Sequence, residues 1–394
     1  MKVYTPRDES EAATIVAQAA AGGLRLAIGG ANSKAALGRR MEVDSRLSST
    51  QMSGVTLYEP AELVIAAKSG TPVSEVVRVL TERGQELPFE PMDYRPLLGT
   101  RMEPTIGALA AMNISGPRRI MAGAARDSLI GIRAVNGRGQ VVKSGGRVMK
   151  NVTGLDLVKL LAGSWGTLGF LTEVTFKVLP RTERMATLIW RGLDDVRAIA
   201  ALSRALGSPF DITGAAHLPT PDVKGSRTLI RLEGFSVSVD YRLGEVRRLL
   251  KGAGSAEILE GRGAESLWQS VRDATVLQDH AERAVWRVST APSKAPALAA
   301  EVARALDAQW FYDWGGGLLW IATRPEGDAG AAVVRAATRS AGGHATLLRA
   351  PDAIRDTVDV FEPQSEAIMT LQRGIKASFD PAGIFNPGRM YAGV

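Results

Sequence analysis

The sequence predicts an α+β protein in two parts, an α+β unit that ends near residue 180 and an α/β unit that follows it. Two observations carry this prediction. Two β-like runs flank Asn136-Gly137, which is the strongest short hairpin signal. From Arg181 to about Ala350, helix-like stretches alternate with strand-like ones. With 394 residues the chain has room for two or three domains of roughly 100–200 residues each.

The first predicted elements are a helix and a strand that lead into a glycine-rich loop. Asp8 or Ser10 caps the helix, and Gly22-Gly23 ends it. The apolar run LRLAI, residues 24–28, predicts a buried strand, and GGANSK follows it directly. Successive N–H groups from Gly29 to Ser33 can form an anion-binding nest, although an ordinary glycine turn explains the pattern equally well.

A second group of elements begins near Val55. VTLYEP and LVIAAKSG predict strands, and the next helix has Pro72 near its first turn and Gly84 at its end. Residues 105–119, TIGALAAMNISGPRR, predict a short helix whose small side chains allow close packing. FLTEVTFKVLP, residues 170–180, alternates as a strand and stops at its final proline.

The second part contains six of the seven tryptophans. Its helix-like stretches are LDDVRAIAALSRALG, LGEVRRLLKG and ALAAEVARALDAQ, and its strand-like ones are RTLIRLEG, AVWRVST and GLLWIAT. The last segment returns to Pro/Gly turns around Asn386. We therefore expect a domain over 1–180, with subdomains of about 1–54 and 55–180, a cap domain over 181–350, and a C-terminal segment over 351–394 that returns to the first domain.

The chain contains no cysteine, which excludes disulfides, thiolate metal sites, iron-sulfur clusters and cysteine nucleophiles on this chain. Any redox chemistry on this chain therefore needs a bound cofactor. The three histidines, His217, His280 and His344, are widely separated in the chain, so no metal site is predicted. The start of the chain lacks a signal region and no window approaches a membrane span of roughly 18 apolar residues, so we expect a cytoplasmic protein.

Basic residues exceed acidic ones by seven, and one segment carries the whole excess. Between Ser115 and Asn151 only Asp127 is acidic, whereas eight residues are basic: Arg118, Arg119, Arg126, Arg133, Arg138, Lys143, Arg147 and Lys150. Such a zone attracts an anion or an acidic partner. Because the segment lacks aromatic residues to stack on bases, nucleic acid is not a predicted partner. A solvated basic face explains about half of these side chains equally well.

Three glycines punctuate LLAGSWGTLGFLTEV, residues 160–174. Gly163, Gly166 and Gly169 allow main chain to turn sharply or to lie against a ligand. The stretch lacks the Lys and Ser/Thr of a phosphate-binding P-loop, and its spacing is not that of the dinucleotide fingerprint. Taken alone, the stretch slightly favours a structural turn.

Four motifs occur in a fixed order: GGANS, PTIGALAAMNISG, AGSWGTLGFLTEV and DPAGIFNPGRM. Each is weak alone, but the ordered set resembles the flavoprotein family that includes vanillyl-alcohol oxidase, D-lactate dehydrogenases and the flavin subunits of bacterial glycolate oxidase. The resemblance covers residues 1–180 and about 350–394. The second and fourth motifs, with KNVTGLDLVKLLAGSWGTLG between them, are most similar to the smaller FAD-binding subunit of glycolate oxidase.

The resemblance implies the two-subdomain FAD-binding fold of the PCMH type, with a second α/β cap domain. It also implies non-covalent FAD, since the GGANS loop has no histidine or cysteine for a covalent link. The cofactor-binding residues that it implies are Gly29, Gly30, Ala31, Asn32 and Ser33 at the pyrophosphate, Thr105, Gly107, Ala110, Asn113, Ser115 and Gly116 along the pyrophosphate and isoalloxazine edge, Gly163, Gly169 and Phe170 on the ribose and adenine side, and Asn386 near the flavin ring.

The resemblance further implies an FAD-dependent oxidoreductase subunit that oxidises glycolate, a 2-hydroxy acid, to glyoxylate or relays its electrons. The implied partners are a second flavin subunit and an iron-sulfur subunit, through which the chain could lie peripheral to the inner membrane. Two alternatives stay open. The chain could be a self-sufficient FAD-dependent dehydrogenase for another hydroxy acid or alcohol, or a non-catalytic scaffold that retains the fold.

One departure from the family bears on catalysis. Relatives that oxidise 2-hydroxy acids alone carry a histidine-rich metal and substrate motif in the cap, whereas this chain has only His217, His280 and His344. His344 is the histidine we consider as a proton acceptor near a flavin. A surface or hydrogen-bonded strand histidine is the favoured interpretation, so no catalytic residue is assigned.

Overall fold

The N-terminal helix and three parallel strands form the first layer of the computed structural model, which describes residues 1–146, 155–280 and 282–394. The sheet has the order β1-β3-β2, with β1 at Lys2–Tyr4, β2 at Leu26–Gly29 and β3 at Ser45–Ser48. Helix α1, Glu9–Gly22, connects β1 to β2. Of the two predicted caps, Asp8 and Ser10, Asp8 is the N-cap, because its side chain accepts a hydrogen bond from the N–H of Glu11.

The end of the chain returns to this first sheet. Leu26 forms a parallel bridge with Phe385, its N–H donates to the carbonyl of Ile384 at 2.7 Å, and its carbonyl accepts from the N–H of Asn386 at 3.0 Å. Ile384 and Phe385 are fully buried in the same hydrophobic cluster as α1. The C-terminal segment is therefore an integral part of the first layer.

The second layer is a five-stranded antiparallel sheet in the order β4-β5-β9-β7-β8. Its strands are β4 at Val55–Glu59, β5 at Val64–Lys68, β7 at Leu129–Val135, β8 at Val141–Gly145 and β9 at Phe170–Lys177, while β6 at Gln85–Glu86 pairs separately with β10 at Leu179–Pro180. The helices are α2 at Val73–Thr81, α3 at Arg95–Leu98, α4 at Ile106–Met112, α5 at Arg119–Ala122, α6 at Ala125–Ser128 and α7 at Leu157–Leu161.

The hairpin predicted around Asn136-Gly137 is confirmed, with a longer loop than that dipeptide suggests. Strands β7 and β8 pair antiparallel through Val135 and Val141, which leaves five loop residues between them. The N–H of Asn136 donates to the carbonyl of Gln140 at 3.0 Å. Gly139, rather than Gly137, has the positive φ of 73° and so supplies the tight turn.

The third layer is an eight-stranded antiparallel sheet in the order β14-β11-β13-β12-β16-β17-β15-β18. The strands are β11 at Arg184–Arg191, β12 at Ile212–Leu218, β13 at Arg227–Gly234, β14 at Glu257–Glu260, β15 at Ala284–Ser289, β16 at Ala308–Asp313, β17 at Leu318–Thr323 and β18 at His344–Arg349. The accompanying helices are α8 at Asp195–Leu206, α9 at Ser236–Leu249, α10 at Gly261–Arg272, α11 at Ala295–Ala305, α12 at Ala331–Ser340 and α13 at Asp352–Thr357. Short 3-10 turns cover Pro60–Glu62, Val223–Gly225, Lys251–Ala253, Thr275–His280, Pro292–Lys294 and Trp314–Gly316.

Strand β17 shows why the strands of the third sheet read as continuous apolar runs. Leu319 and Ile321 pack in the cluster that includes α8, α9, α11 and α12. Leu318 and Trp320 point to the other face, where they join the hydrophobic cluster of the second layer. Both faces are therefore buried, so the usual alternation of polar and apolar residues is absent. We call residues 184–349 the cap. The face of its sheet that carries Leu318 and Trp320 is called the cap floor.

A buried network of charges joins the cap to the second layer. The Arg118 guanidinium contacts Glu86 and donates to Glu233 at 2.5 Å, while Arg231 lies 2.8 Å from Glu90 and 3.3 Å from Glu233. Burial alone would raise the pKa of Glu90, but the Arg231 guanidinium holds that pKa below its usual value. The network fixes how the cap floor faces the second layer.

The helix near the C-terminus, α14 at Glu366–Phe379, is anchored by a buried lysine. The Lys376 ammonium donates to the carbonyls of Thr167 and Phe385 at 2.8 and 2.7 Å and to the Asp380 carboxylate at 2.8 Å. Asp380 also accepts from the N–H of Ile384. Within the described residues, no helix is both long and apolar enough to span a bilayer.

We expect Asp380→Ala to lower the free energy of unfolding by about 3–5 kcal/mol, because the buried Lys376 charge loses its counter-ion. Urea unfolding followed by circular dichroism measures the change. Glu366→Ala on the same helix is the matched control, since Glu366 pairs with Arg373 at an exposed site and such pairs contribute about 1 kcal/mol or less. Equal destabilisation by both variants would contradict the anchoring role of Asp380.

Candidate active site

A cleft of about 730 Å³, including space open to solvent, lies where the first and second layers meet. The loop after β2, helix α4 and the turn before β9 form its walls. Ten of the fifteen residues predicted to bind the cofactor line this cleft: Gly29, Gly30, Ala31, Asn32, Ser33, Thr105, Gly107, Gly169, Phe170 and Asn386. We call it the cofactor cleft.

The loop after β2 offers a row of free backbone donors to the cofactor cleft. The N–H groups of residues 30–34 donate to no other residue in the part of the chain that the structure describes. The carbonyl of Gly30, in contrast, accepts from Arg46 and from the Ser48 hydroxyl at 3.0 Å. Asn32 has a φ of 66°, in the left-handed region, so the loop turns at this residue. Free N–H groups in a turn of this kind suit a phosphate group.

Two buried hydroxyls complete the polar lining of the cofactor cleft. Ser69 Oγ and Thr105 Oγ1 are buried and have no hydrogen-bond partner within the described residues. A buried hydroxyl without a partner is costly, so these groups indicate a ligand that supplies one. The free amides and the two hydroxyls together fit the diphosphate and ribityl groups of FAD.

Two glycines at the cofactor cleft are needed because other protein atoms lie where a Cβ would be. A Cβ on Gly30 would lie 2.2 Å from Thr105 Oγ1, and one on Gly107 would lie 2.5 Å from the Cβ of Ser69. Both glycines therefore let the loop and α4 approach the opposite wall of the cleft. The sequence pattern indicated close approach, but it could not show that the approach is between protein segments.

The GSWG turn before β9 has three residues with positive φ: Gly163 at 87°, Trp165 at 55° and Gly166 at 71°. A Cβ on Gly166 would lie 2.8 Å from Nδ2 of Asn386. The Asn386 amide donates to the Trp165 carbonyl at 2.7 Å, and its Oδ1 accepts from the N–H of Ile28 at 2.7 Å. Asn386 thus ties the turn to β2 at the wall of the cleft.

A second cavity of about 900 Å³, open in part to solvent, lies between the end of α4 and the cap floor. Four further predicted residues line it: Asn113, Ser115, Gly116 and Gly163. Met112 and Trp165 line both cavities, so the two spaces adjoin. Ala110 lines neither cavity and packs in the hydrophobic core.

Two arginines make the second cavity electropositive. Arg119 and Arg287 lie over the ring of Trp314, 4.6 and 5.1 Å from its centroid. Neither side chain has a hydrogen bond or an ion pair with another described residue. Burial lowers the pKa of Arg287, and nearby Tyr94 and Asp313 offset this lowering only in part. The cavity is therefore suited to a small anion.

Asp313 and Tyr94 bring titratable groups to the same cavity. Asp313 is only 2% exposed, and one of its oxygens accepts from the N–H of Trp314 at 2.7 Å. Burial raises the pKa of Asp313 to about 7, so its carboxyl exchanges a proton at neutral pH. Burial also raises the pKa of Tyr94, which keeps the phenol protonated.

Neither His217 nor His344 is among the residues that line the two cavities. His217 is fully buried in the cap, with Nδ1 3.0 Å from Thr228 Oγ1 and Nε2 3.3 Å from Asp195 Oδ1. His344 is exposed at the start of β18 and lines neither cavity. The side chain of His280 lies outside the described part of the chain. The interpretation of His344 as a strand histidine agrees with this position.

The basic segment has several structural roles. Arg118 belongs to the network between the cap and the second layer, Arg119 lines the second cavity, and Arg133 forms an ion pair with Glu9 at 2.5 Å. Arg147 and Lys150, with the start of the KNVTGLDL stretch, lie outside the described residues. A solvated face therefore does not account for the segment as a whole.

Sequence reasoning missed several residues of the two cavities: Lys34, Ser69, Tyr94, Arg287 and Asp313. A signal was present for Arg287, because a charged residue interrupts the apolar strand AVWRVST. Arg231 and Glu233 in RTLIRLEG carry the same signal. Buried charges on strands need partners or ligands, so such positions are candidates for interfaces and sites.

Comparison with known proteins agrees with this geometry. Residues 2–145 match the FAD binding domain family. The chain is 35% identical to glycolate oxidase subunit GlcE of Escherichia coli, over 93% of each chain, and 27% identical to an uncharacterized FAD-linked oxidoreductase of Mycobacterium tuberculosis, over 90% of this chain and 82% of the relative. The crystal structure of p-cresol methylhydroxylase covers 99% of this chain with 88% of its own, at a TM-score of 0.74 and 15% identity, and so shares its fold.

The fold and the cofactor cleft define an FAD-linked oxidoreductase, and FAD is its cofactor. Among such proteins, the chain belongs to the family of glycolate oxidase subunit GlcE. The predicted PCMH-type fold class and the predicted cofactor are thereby confirmed. The individual cofactor-binding residues stay predictions.

We expect Gly30→Ala to weaken FAD binding about tenfold or more, because the new Cβ clashes with Thr105 and forces the loop away from the cleft. Overpacking of this kind costs about 1–3 kcal/mol. Titration of the FAD-free protein with FAD, followed by flavin fluorescence, measures the dissociation constant. Gly244→Ala in α9 is the control, since its Cβ meets open space. An unchanged FAD affinity in Gly30→Ala would show that this wall does not position the cofactor.

Proposed function

We propose that this chain is the FAD-binding subunit of a complex that oxidises glycolate to glyoxylate. The observation that carries the proposal is the adjoining pair of cavities, one suited to FAD and the other lined by two arginines that form no ion pair with a described residue. A small 2-hydroxy carboxylate matches the second cavity in charge. The similarity to GlcE over nearly the whole chain supports the same substrate class.

In this proposal the residues of the second cavity bind and orient the substrate. Arg119 and Arg287 hold the carboxylate in the second cavity, which adjoins the cofactor cleft at Met112 and Trp165. Asp313 takes up the hydroxyl proton, because its pKa of about 7 leaves much of it ionised at neutral pH. When bound, FAD supplies the two-electron acceptor that this oxidation needs.

The electrons then leave the chain through a partner. The sequence has no cysteine to hold an iron-sulfur cluster, so an iron-sulfur subunit of the complex would accept them. A second flavin subunit is the other proposed partner. Any association with the inner membrane would occur through these partners.

Anaerobic addition of glycolate to the purified, FAD-loaded chain tests the proposal. We expect the oxidised flavin absorbance to bleach, since the anion cavity and the cofactor cleft lie on the same chain. Absorbance that stays oxidised would contradict substrate oxidation on this chain and would favour a relay or scaffold role. Turnover by the chain alone as fast as by the whole complex would instead favour the self-sufficient dehydrogenase.

We expect Arg287→Met to raise the glycolate concentration needed for half-maximal flavin bleaching by about tenfold to a hundredfold, because charge-assisted hydrogen bonds contribute about 1.5–3 kcal/mol. Methionine keeps much of the buried volume without the charge. FAD affinity is expected to stay the same. Arg126→Met is the control, since Arg126 is exposed and lies in the same basic segment but lines neither cavity. Equal effects of the two variants would place the substrate elsewhere.

A further inference from the structure

Lys34 is a buried cation that lacks a counter-ion at the wall of the cofactor cleft. Its side chain is 7% exposed and lines the cleft directly after the free amides of the loop. Its ammonium donates to the Ser33 hydroxyl at 3.3 Å, and no carboxylate among the described residues is bonded to it. A buried ammonium without an anionic partner is costly, so the position indicates an anion that the ligand brings.

The charged groups around Lys34 already have other partners. The charge of the Asp93 carboxylate raises the pKa of Lys34, but Asp93 is already paired with Arg95, whose Nη2 lies 2.7 Å from Asp93 Oδ2. Arg389 donates to the carbonyls of Lys34 and Ala35, at 3.2 and 3.4 Å. Arg46 donates to the carbonyl of Gly30. Arg46 and Arg389 therefore bind carbonyl groups of the loop. The ammonium of Lys34 has no such partner among the described residues and lines the cofactor cleft.

We propose that Lys34 supplies the positive charge that neutralises the diphosphate of bound FAD, and that it makes FAD affinity depend on pH. The diphosphate carries the negative charge of FAD at neutral pH, and it is the group that the adjacent free N–H groups of residues 30–34 suit. One loop thus offers both hydrogen-bond donors and a full charge to the same anion. The assignment concerns cofactor binding and does not depend on which substrate is oxidised.

The direction of the pH dependence follows from linkage. Burial lowers the pKa of Lys34 to about 8 in the FAD-free chain. A bound diphosphate favours the charged ammonium and raises that pKa, so FAD binding above pH 8 takes up a proton. FAD affinity is therefore constant below about pH 7 and falls as pH rises through 8. Between pH 7 and pH 9 the dissociation constant is expected to increase about tenfold.

Titration of the FAD-free full chain with FAD at pH 7 and pH 9 tests the proposal. Lys34→Met is expected to bind FAD at least about tenfold more weakly at pH 7 and to lose the change between the two pH values. Lys34→Arg is expected to keep most of the affinity at pH 7 and to retain it at pH 9, because a guanidinium stays charged there. Lys143→Met is the control, since Lys143 is an exposed lysine that does not line the cofactor cleft.

Titrations with ADP and with riboflavin separate the diphosphate from the flavin ring. Lys34→Met is expected to weaken ADP binding in parallel with FAD and to leave riboflavin binding unchanged. An unchanged FAD affinity in Lys34→Met, or a pH effect that persists in it, would overturn the proposal. Loss of riboflavin binding with ADP binding intact would also overturn it, because the ammonium would then face the ring. Circular dichroism spectra of Lys34→Met and Lys34→Arg are expected to match the spectrum of the unsubstituted chain. Such a match would show that both variants fold.

Discussion

The buried charge network between the cap and the second layer is the constraint on which the functional site depends. Arg118 contacts carboxylates on both sides of the boundary, and Arg231 reaches from the cap to Glu90. Removal of one partner from such a network leaves an uncompensated buried charge and costs about 3–5 kcal/mol, whereas an apolar interface would tolerate sliding. The network also holds the backbone beside the second cavity, because the N–H of Arg118 donates to Glu90 at 3.2 Å, and the nearby Gly116 carbonyl accepts from Trp314 Nε1 at 3.1 Å. The second cavity therefore has a defined shape because the charges beside it permit one arrangement.

The two faces of the cap sheet differ in composition. One face packs on helices and supplies an ordinary apolar core. The other face mixes apolar side chains with Arg231, which pairs with the second layer, and with Arg287 and Asp313, which line the second cavity. On this face Arg231 is stabilised by its carboxylate partners across the boundary. The cap floor is thus a functional surface that folding buries.

Local signals in the sequence predicted much of the fold, because they act between near neighbours. The Asp8 cap, the hairpin at β7 and β8, and part of the cap, including α8, α11, β13 and β17, follow from capping, turn chemistry and periodicity. The cofactor cleft was predicted through ordered motifs rather than through any one residue. The second cavity was not predicted, because Tyr94, Arg287 and Asp313 meet only when the cap closes on the second layer. Spacing along the chain carries no information about such contacts.

The pairing of β2 with the C-terminal segment has a consequence for how the protein is made. Ile28 and Asn386, whose hydrogen bond helps to form the wall of the cofactor cleft, are 358 residues apart in the chain. During synthesis the N-terminal layer emerges first, with part of its hydrophobic cluster exposed until Ile384 and Phe385 leave the ribosome. The wall of the cofactor cleft that Ile28 and Asn386 form is therefore assembled only after residue 386 has been synthesised.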